Sequence, residues 1–223
     1  NPTYLNAYKY DVDTEEESLL LEGEAAPTYL ADVSKDGQKK LVIKHFANTY
    51  TLAYLVDGDS VEQITPQTEK QHTVSDIVFA SDNTIYLTTN YDDDFSYLAR
   101  YDMETKTVTR ITHEDNLDFE ALKLDKDRNL LYLTSTVGVE DELYSYDLKS
   151  ETLAKVDIPV DVVDKVVVAK SGAVYLLGRT AIKPFNIFRK KLSDNVWEQL
   201  TNFNVPGVTE EELCDPEVLK YPS

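Results

Sequence analysis

The sequence predicts an all-β chain of repeated four-stranded antiparallel blades, a partial β-propeller, and three recurring markers predict it. Aspartates end aromatic or apolar strands at Tyr10-Asp11, Val56-Asp57, Tyr101-Asp102 and Tyr146-Asp147, in steps of 46, 45 and 45 residues. Turn pairs at Asp36-Gly37, Asp82-Asn83, Arg128-Asn129 and Ser171-Gly172 step by 46, 46 and 43. A third pair closes each unit, at Ile64-Thr65, Ile111-Thr112, Lys155-Val156 and Leu200-Thr201. Repeats of roughly 40–50 residues with four short strands each have the spacing of propeller blades.

The elements follow in order. Tyr4–Val12 and Ser18–Glu22 read as the third and fourth strands of one blade, half of it. Four full units then occupy 27–65, 73–112, 119–156 and 164–201. Within the second, the pattern predicts strands at Ile77–Ala80, Thr84–Thr89, Ser96–Tyr101 and Thr107–Ile111. The Gly, Asn and Asp between them supply the positive φ or local hydrogen bonds that tight hairpins need. Leu130-Leu131-Tyr132-Leu133 and Val174-Tyr175-Leu176-Leu177 are apolar at every position, as expected of strands covered on both faces. A helical solenoid has a similar period, but the alternation here is two-residue. A β-sandwich lacks a fixed four-strand interval.

Four and a half blades do not close a ring, so 1–201 reads as part of a larger propeller whose start lies upstream of Asn1. The tail, 202–223, carries Pro206, Pro216 and Pro222 and is a poor source of inner strands. Thr209 with Glu212 fits a capping box and predicts one helical turn there.

Composition narrows the function. Tyr is abundant (15, against 7 Phe), which suits pleated sheet, and no apolar run approaches the ~20 residues that cross a bilayer. The N-terminus has neither the basic nor the apolar region of a secretory signal. Cys214, the single cysteine, excludes an intrachain disulfide and fits a reducing compartment, so a cytoplasmic location is expected. A formal charge of −19 repels phosphate backbones, so neither nucleic acid nor membrane is an expected partner. That charge serves solubility or, alternatively, steers cationic ligands.

The tail carries a resemblance. Leu200-Thr201, Asn202 or Asn204, Pro216-Glu217 and Tyr221-Pro222-Ser223 match, in order, the passage by which the propellers of the prolyl oligopeptidase family enter their hydrolase domain. That family includes the acylaminoacyl and dipeptidyl peptidases. Ser34-Lys35-Asp36-Gly37 is similar to a turn common in those propellers, with a weaker counterpart in Ser81-Asp82-Asn83. The resemblance implies an α/β-hydrolase domain of the same parent protein as partner, short peptides as substrates, and a non-catalytic role here: covering the active site and restricting access to it. The Gly-x-Ser-x-Gly elbow that exposes the nucleophile of that fold does not occur in the sequence, so no catalytic residue is assigned and no cofactor is expected. The alternative is a stand-alone propeller scaffold that binds proteins or sugars.

Candidate site residues are few. Asp32, Asp76, Glu120 and Asp164 recur every 44 residues near the innermost strands. They either line a tunnel that attracts a peptide's amino terminus or are polar residues at strand starts. Their distances to the next turn Gly or Asn are 5, 7, 9 and 8, so their registers differ. Asp92-Asp93-Asp94 and Asp125-Lys126-Asp127-Arg128-Asn129 lack the Gly of a calcium loop and read as solvated loops. His45, His72 and His113 have no clustered partner for zinc. His72 and His113 fall in inter-blade connections, where surface positions are expected. Arg189-Lys190-Lys191 reads as an exposed face or as a docking patch for the hydrolase domain. Cys214 lies among acids that disfavour its thiolate. Open blade edges are expected to invite self-association.

Overall fold

The computed structural model describes residues 5–23, 26–114, 117–191, 196–208 and 212–214. Eighteen strands lie among them, and no α-helix. They form five antiparallel sheets, each built from strands adjacent in sequence. The first pairs β1 (Ala7–Asp11) with β2 (Glu16–Leu21). The second runs β3 (Thr28–Val33), β4 (Lys39–Ala47), β5 (Tyr50–Asp57), β6 (Ser60–Gln63). The third runs β7 (Val74–Phe79), β8 (Thr84–Thr89), β9 (Tyr97–Asp102), β10 (Thr107–Arg110). The fourth holds β11 (Phe119–Asp125), β12 (Leu130–Val137), β13 (Glu140–Asp147), β14 (Thr152–Val156). The fifth holds β15 (Val162–Val168), β16 (Val174–Arg179), β17 (Asn186–Lys190), β18 (Trp197–Gln199). The architecture is thus the partial propeller of four full blades and a two-stranded remainder that the repeat predicts.

The chain divides into two compact units, residues 1–122 and 123–223, with the division inside β11. In the first unit, one core joins the first two full blades. Leu41, Ala53, Leu55 and Ile64 pack with Ile77, Phe79, Ile85, Leu87 and Tyr101, all buried. Each large side chain so buried contributes about 1.5–3 kcal/mol relative to exposure. β8 is buried on both faces from Ile85 to Thr89. In the second unit, Leu143 packs with Val166 and Val174. Val160, Leu176 and Phe188 form a second cluster, and Trp197 packs against both. The Trp197 indole N–H donates to the Asp157 carbonyl at 2.7 Å. β16 differs from β8: Val174 and Leu176 are buried, whereas Tyr175 and Leu177 on its other face are only half-buried. The run expected to be covered on both sides is covered on one.

Each sequence marker has a hydrogen-bonding cause. The closing pair ends the outer strand of a blade. Ile64, Ile111 and Leu200 donate their amides to the carbonyls of Ala53, Leu98 and Ile187, at 2.9, 2.8 and 2.8 Å. The next residue's hydroxyl then caps the third strand: Thr112 accepts from the Leu98 amide and Thr201 from the Ile187 amide, both at 2.9 Å. A side chain two residues upstream holds the threonine carbonyl, from Gln63 on Thr65, Arg110 on Thr112 and Gln199 on Thr201. Lys155-Val156 departs from this scheme, because Val156 is still paired with Leu143 in the sheet.

Thr65 caps differently, through His72. This histidine is 2% exposed, not at the surface as its place in a connection suggested. Its Nδ1 lies 3.3 Å from the Lys70 carbonyl, which only accepts, and its Nε2 is hydrogen-bonded to the Thr65 hydroxyl at 2.8 Å. The rings of Tyr50 and Tyr91 stand edge-on to it, with centroids at 6.4 and 5.2 Å. The connection folds back over its own blade junction, which sequence position alone does not reveal. His113 is exposed.

The aspartates of the first marker cap the hairpins that follow. Asp11 Oδ1 accepts from the amides of Asp13 and Thr14, Asp102 Oδ1 from Glu104 and Thr105, and Asp147 Oδ1 from Lys149 and Ser150. Each four-residue loop closes on a left-handed residue, Glu15, Lys106 or Glu151, with φ of 54–58°. Asp57 instead opens a two-residue turn to Ser60, with Gly58 at φ 57°. Gly37, at φ 73°, completes the Ser34 turn, in which the Ser34 hydroxyl donates to Asp36 at 2.6 Å.

These caps predict an acid response. In Asp11, Asp102 and Asp147 the amide three residues on, the leading cause, holds the carboxyl below its ordinary value of 3.8. A folded-state pKa below the unfolded one stabilises fully above the ordinary value, and that contribution is lost as pH falls through the lowered one. Thermal melting followed against pH should therefore show a decline beginning below about pH 4. A triple replacement by alanine should flatten that part of the curve; a decline as steep in the triple variant assigns it to other groups.

Candidate functional site

The innermost strands carry the four recurrent acids, and a repeated β-bulge sets where they fall. The register slips between Leu30 and Asp32 in β3, between Val74 and Asp76 in β7, and between Val163 and Lys165 in β15. Asp32 and Asp76 thus follow the bulged residue, while Asp164 is itself the bulged residue. Glu120, directly after buried Phe119 as Ser75 is after buried Val74, matches the bulged position. The constant 44-residue spacing therefore resolves into two registers.

The two registers behave differently. Asp32 accepts from its neighbour Val33 at 2.9 Å and from the Phe79 amide of the next blade's innermost strand at 2.9 Å. Asp76 repeats this with Ile77 at 2.9 Å and with the Leu122 amide of β11 at 3.2 Å. These two carboxylates fasten one blade to the next. Glu120 and Asp164 are exposed.

Glu120 belongs to a cleft of about 520 Å³ in the first unit. The starts of β7 and β11, Tyr29 of β3 and the ends of the β4–β5 and β8–β9 hairpins line it. Its walls are fixed by local bonds. Thr51 Oγ1 accepts from the Val74 amide at 2.7 Å, Asn90 Oδ1 from the Thr73 amide at 2.7 Å, and Asp118 Oδ1 from the Ser96 amide at 2.8 Å. Apart from His45, its charged lining residues are the carboxylates Asp94, Asp118 and Glu120. Such a cleft suits a cationic amine. Of these the sequence singled out only Glu120 as a site acid, because Asp94 and Asp118 come from connections that carry no repeat signal and His45, in β4, has no counterpart in the other units.

A second cleft, of about 390 Å³, lies in the second unit, with Val160 and Phe188 in its wall and Arg179 and Lys183 among its polar residues. It is closed on one side by Asn186, which is 1% exposed. The Asn186 Nδ2 donates to the carbonyls of Pro184 and Phe203 at 3.0 and 3.2 Å. Its Oδ1 accepts from the Thr201 hydroxyl at 3.0 Å and the Phe203 amide at 2.7 Å. This side chain ties the beginning of the tail to β17. The tail from Pro216 onward, and most of the expected turn at Thr209–Glu212, lie outside the described residues.

The remaining candidates have structural partners. Asp92 pairs with Lys70 at 2.7 Å, and Asp93 pairs with Arg110, whose guanidinium sits 4.4 Å from the Tyr97 ring centroid. Arg110 is the leading cause holding the Asp93 carboxyl below the usual range. Asp125, 5% exposed, is bound by Arg128 at 3.2 Å. Arg189 bonds Glu198 across the β17–β18 pair at 2.6 Å. Among the described residues no group of three or more potential metal ligands converges. Cys214 is exposed.

No family model and no curated protein matches this sequence. Solved structures do. TolB from Acinetobacter baumannii is similar with a TM-score of 0.67 and 18% identity, over 89% of this chain and 49% of that one. A structure from work on two prolyl endopeptidases gives a TM-score of 0.73 at 14% identity, over 94% of this chain and 32% of that one. Puromycin hydrolase gives 0.69 at 11% identity, over 89% of this chain and 32% of that one. At these identities the shared property is the fold, and the chain spans 32% to 49% of these proteins' length.

Proposed function

We propose that this chain is the non-catalytic propeller part of a prolyl oligopeptidase-type serine peptidase, where it limits access of short peptides to the active site. The observation that carries the reading is the likeness to the prolyl endopeptidase structure over 94% of this chain but only 32% of that one. The order of tail residues after Leu200 supports it from the sequence side. In this reading 1–201 form the partial propeller, and 202–223 lead to an α/β-hydrolase domain of a cytoplasmic enzyme. Within that family the reading is of an acylaminoacyl peptidase or dipeptidyl peptidase-like member. The four recurrent acids take two parts: Asp32 and Asp76 hold blades together, while Glu120 and Asp164 offer charge to a peptide's ammonium group. Asp94 and Asp118 join Glu120 in the first cleft. A second reading is a stand-alone protein- or sugar-binding propeller scaffold.

Two measurements test this. The parent reading frame past Ser223 is expected to encode a Gly-x-Ser-x-Gly elbow; a stop codon or an unrelated domain favours the scaffold. In the full-length peptidase, Glu120→Gln combined with Asp94→Asn should raise KM for peptides with a free amino terminus by about 5–20-fold, the effect of one or two charge-assisted bonds. The kcat and the KM of amino-blocked peptides should stay unchanged. Equal effects on free and blocked peptides contradict the assignment of these carboxylates.

A further inference from the structure

The cleft that holds Glu120 has two chemically different walls. Tyr29 of β3 pairs with Ile43 of β4, so both side chains lie on one face of the first full blade. Ile43 packs against the core that joins this blade to the next, with Leu41, Ala53 and Leu55 on the same face. Tyr29 therefore faces a junction between two complete blades, and not the two-stranded β1–β2 sheet. It lines the cleft and is 49% exposed. Buried Val74 adds to the apolar lining.

The carboxylates come from the two blades that follow. Asp94 lies in the β8–β9 connection, Asp118 just before β11 and Glu120 within it. Among the described residues that line the cleft there is no lysine or arginine. Its volume of about 520 Å³ falls within the ~300–1,000 Å³ of pockets that enclose a whole small ligand, and exceeds what an ammonium group fills. Acids on one wall and an aromatic–aliphatic pair on the other fit a molecule that joins an ammonium group to an apolar body. The first residue of a peptide does so, with its ammonium and its side chain on a single carbon.

We propose that Tyr29 and Ile43 select the side chain of the ligand: the cleft takes peptides whose first residue carries a free amino group and a large apolar side chain, and discriminates against glycine there. The proposal rests on the reading of Glu120 and Asp94 as partners of the ammonium group and adds the side-chain preference to it. An aromatic first residue removes apolar area from water and gains ring contact with Tyr29. Glycine offers the ammonium alone.

Three tripeptide probes test this, titrated into the chain and followed by amide chemical shifts: Phe-Gly-Gly amide, Gly-Gly-Gly amide and N-acetyl-Phe-Gly-Gly amide. The free Phe peptide should bind about 5–20-fold more tightly than the Gly peptide, and more tightly than its acetylated form. In Tyr29→Ser the preference for Phe over Gly should fall to roughly threefold or less. Equal affinities for the free Phe and Gly peptides, with acetylation still weakening binding, overturn the side-chain preference and leave the ammonium reading standing. Free and acetylated Phe peptides that bind alike overturn the ammonium reading and the proposal with it. A Phe-over-Gly preference that survives Tyr29→Ser, or no binding of any probe at millimolar concentration, overturns the proposal as well. The comparison of peptides on the wild-type chain needs no variant.

Discussion

Replacing Asn186 by alanine is expected to cost about 3 kcal/mol of stability, the largest loss among polar substitutions in the second unit. The reason is the number of groups it leaves unmatched. Four bonds converge on one buried amide, and they involve Pro184, Thr201 and both the amide and carbonyl of Phe203. The alanine variant strands buried donors and acceptors at roughly 1–3 kcal/mol for each that water does not reach. Aspartate retains the acceptor but sets a buried carboxylate oxygen against the Pro184 and Phe203 carbonyls, so Asn186→Asp should be no more stable than the alanine variant at neutral pH. Urea unfolding measures both. The tail should also loosen in the alanine variant, seen as faster amide exchange at Phe203. An alanine variant within about 0.5 kcal/mol of the wild type would show that the tail is not held by this residue.

Gly178→Ala is the second substitution expected to be severe. Gly178 lies in β16, and its φ is not in the left-handed region, so the cause is space. A Cβ there would sit 2.7 Å from the Val162 carbonyl oxygen, 2.7 Å from Val160 Cγ2 and 2.8 Å from Leu176 Cδ2. Two of these neighbours are branched side chains, Val160 buried at 7% and Leu176 at 0%, and the third is backbone. Overpacking of this kind costs about 1–3 kcal/mol. Thermal melting should show the loss, and Val160→Ala in the same chain should restore part of it by making room. If the double variant is no better than Gly178→Ala, the clash with the Val162 backbone dominates.

The sequence was most legible where a residue's role repeats. Asp11, Asp102 and Asp147 recur because each caps a hairpin of the same length, and Ile111-Thr112 and Leu200-Thr201 recur because each ends a fourth strand by the same bonds. Strand bounds shifted by a few residues, as at Val74–Phe79, predicted to start at Ile77, because Ser75 and Asp76 at the bulge interrupt the apolar run. The bulges were invisible, since one extra residue leaves composition unchanged yet moves a side chain across the sheet. Asp32 and Asp164 share the 44-residue spacing, and their unequal distances to the next turn indicate different registers, but the bulge that causes the difference is seen only in the strand pairing. The burial of His72 was also hidden, because it depends on Tyr50 and Tyr91, far along the chain in each direction. The first cleft was legible only through Glu120, since its other carboxylates come from connections of differing length.

Backbone nuclear Overhauser contacts in solution test most directly the claim that each of the four full blades is built from four successive strands. Close cross-strand contacts should join Thr84 with Asp102, Leu131 with Tyr146 and Val174 with Lys190, and no strand should pair with one from another blade. Contacts that instead pair β4 with a strand of the third or fourth full blade, as two face-packed sheets of a sandwich require, would contradict the architecture.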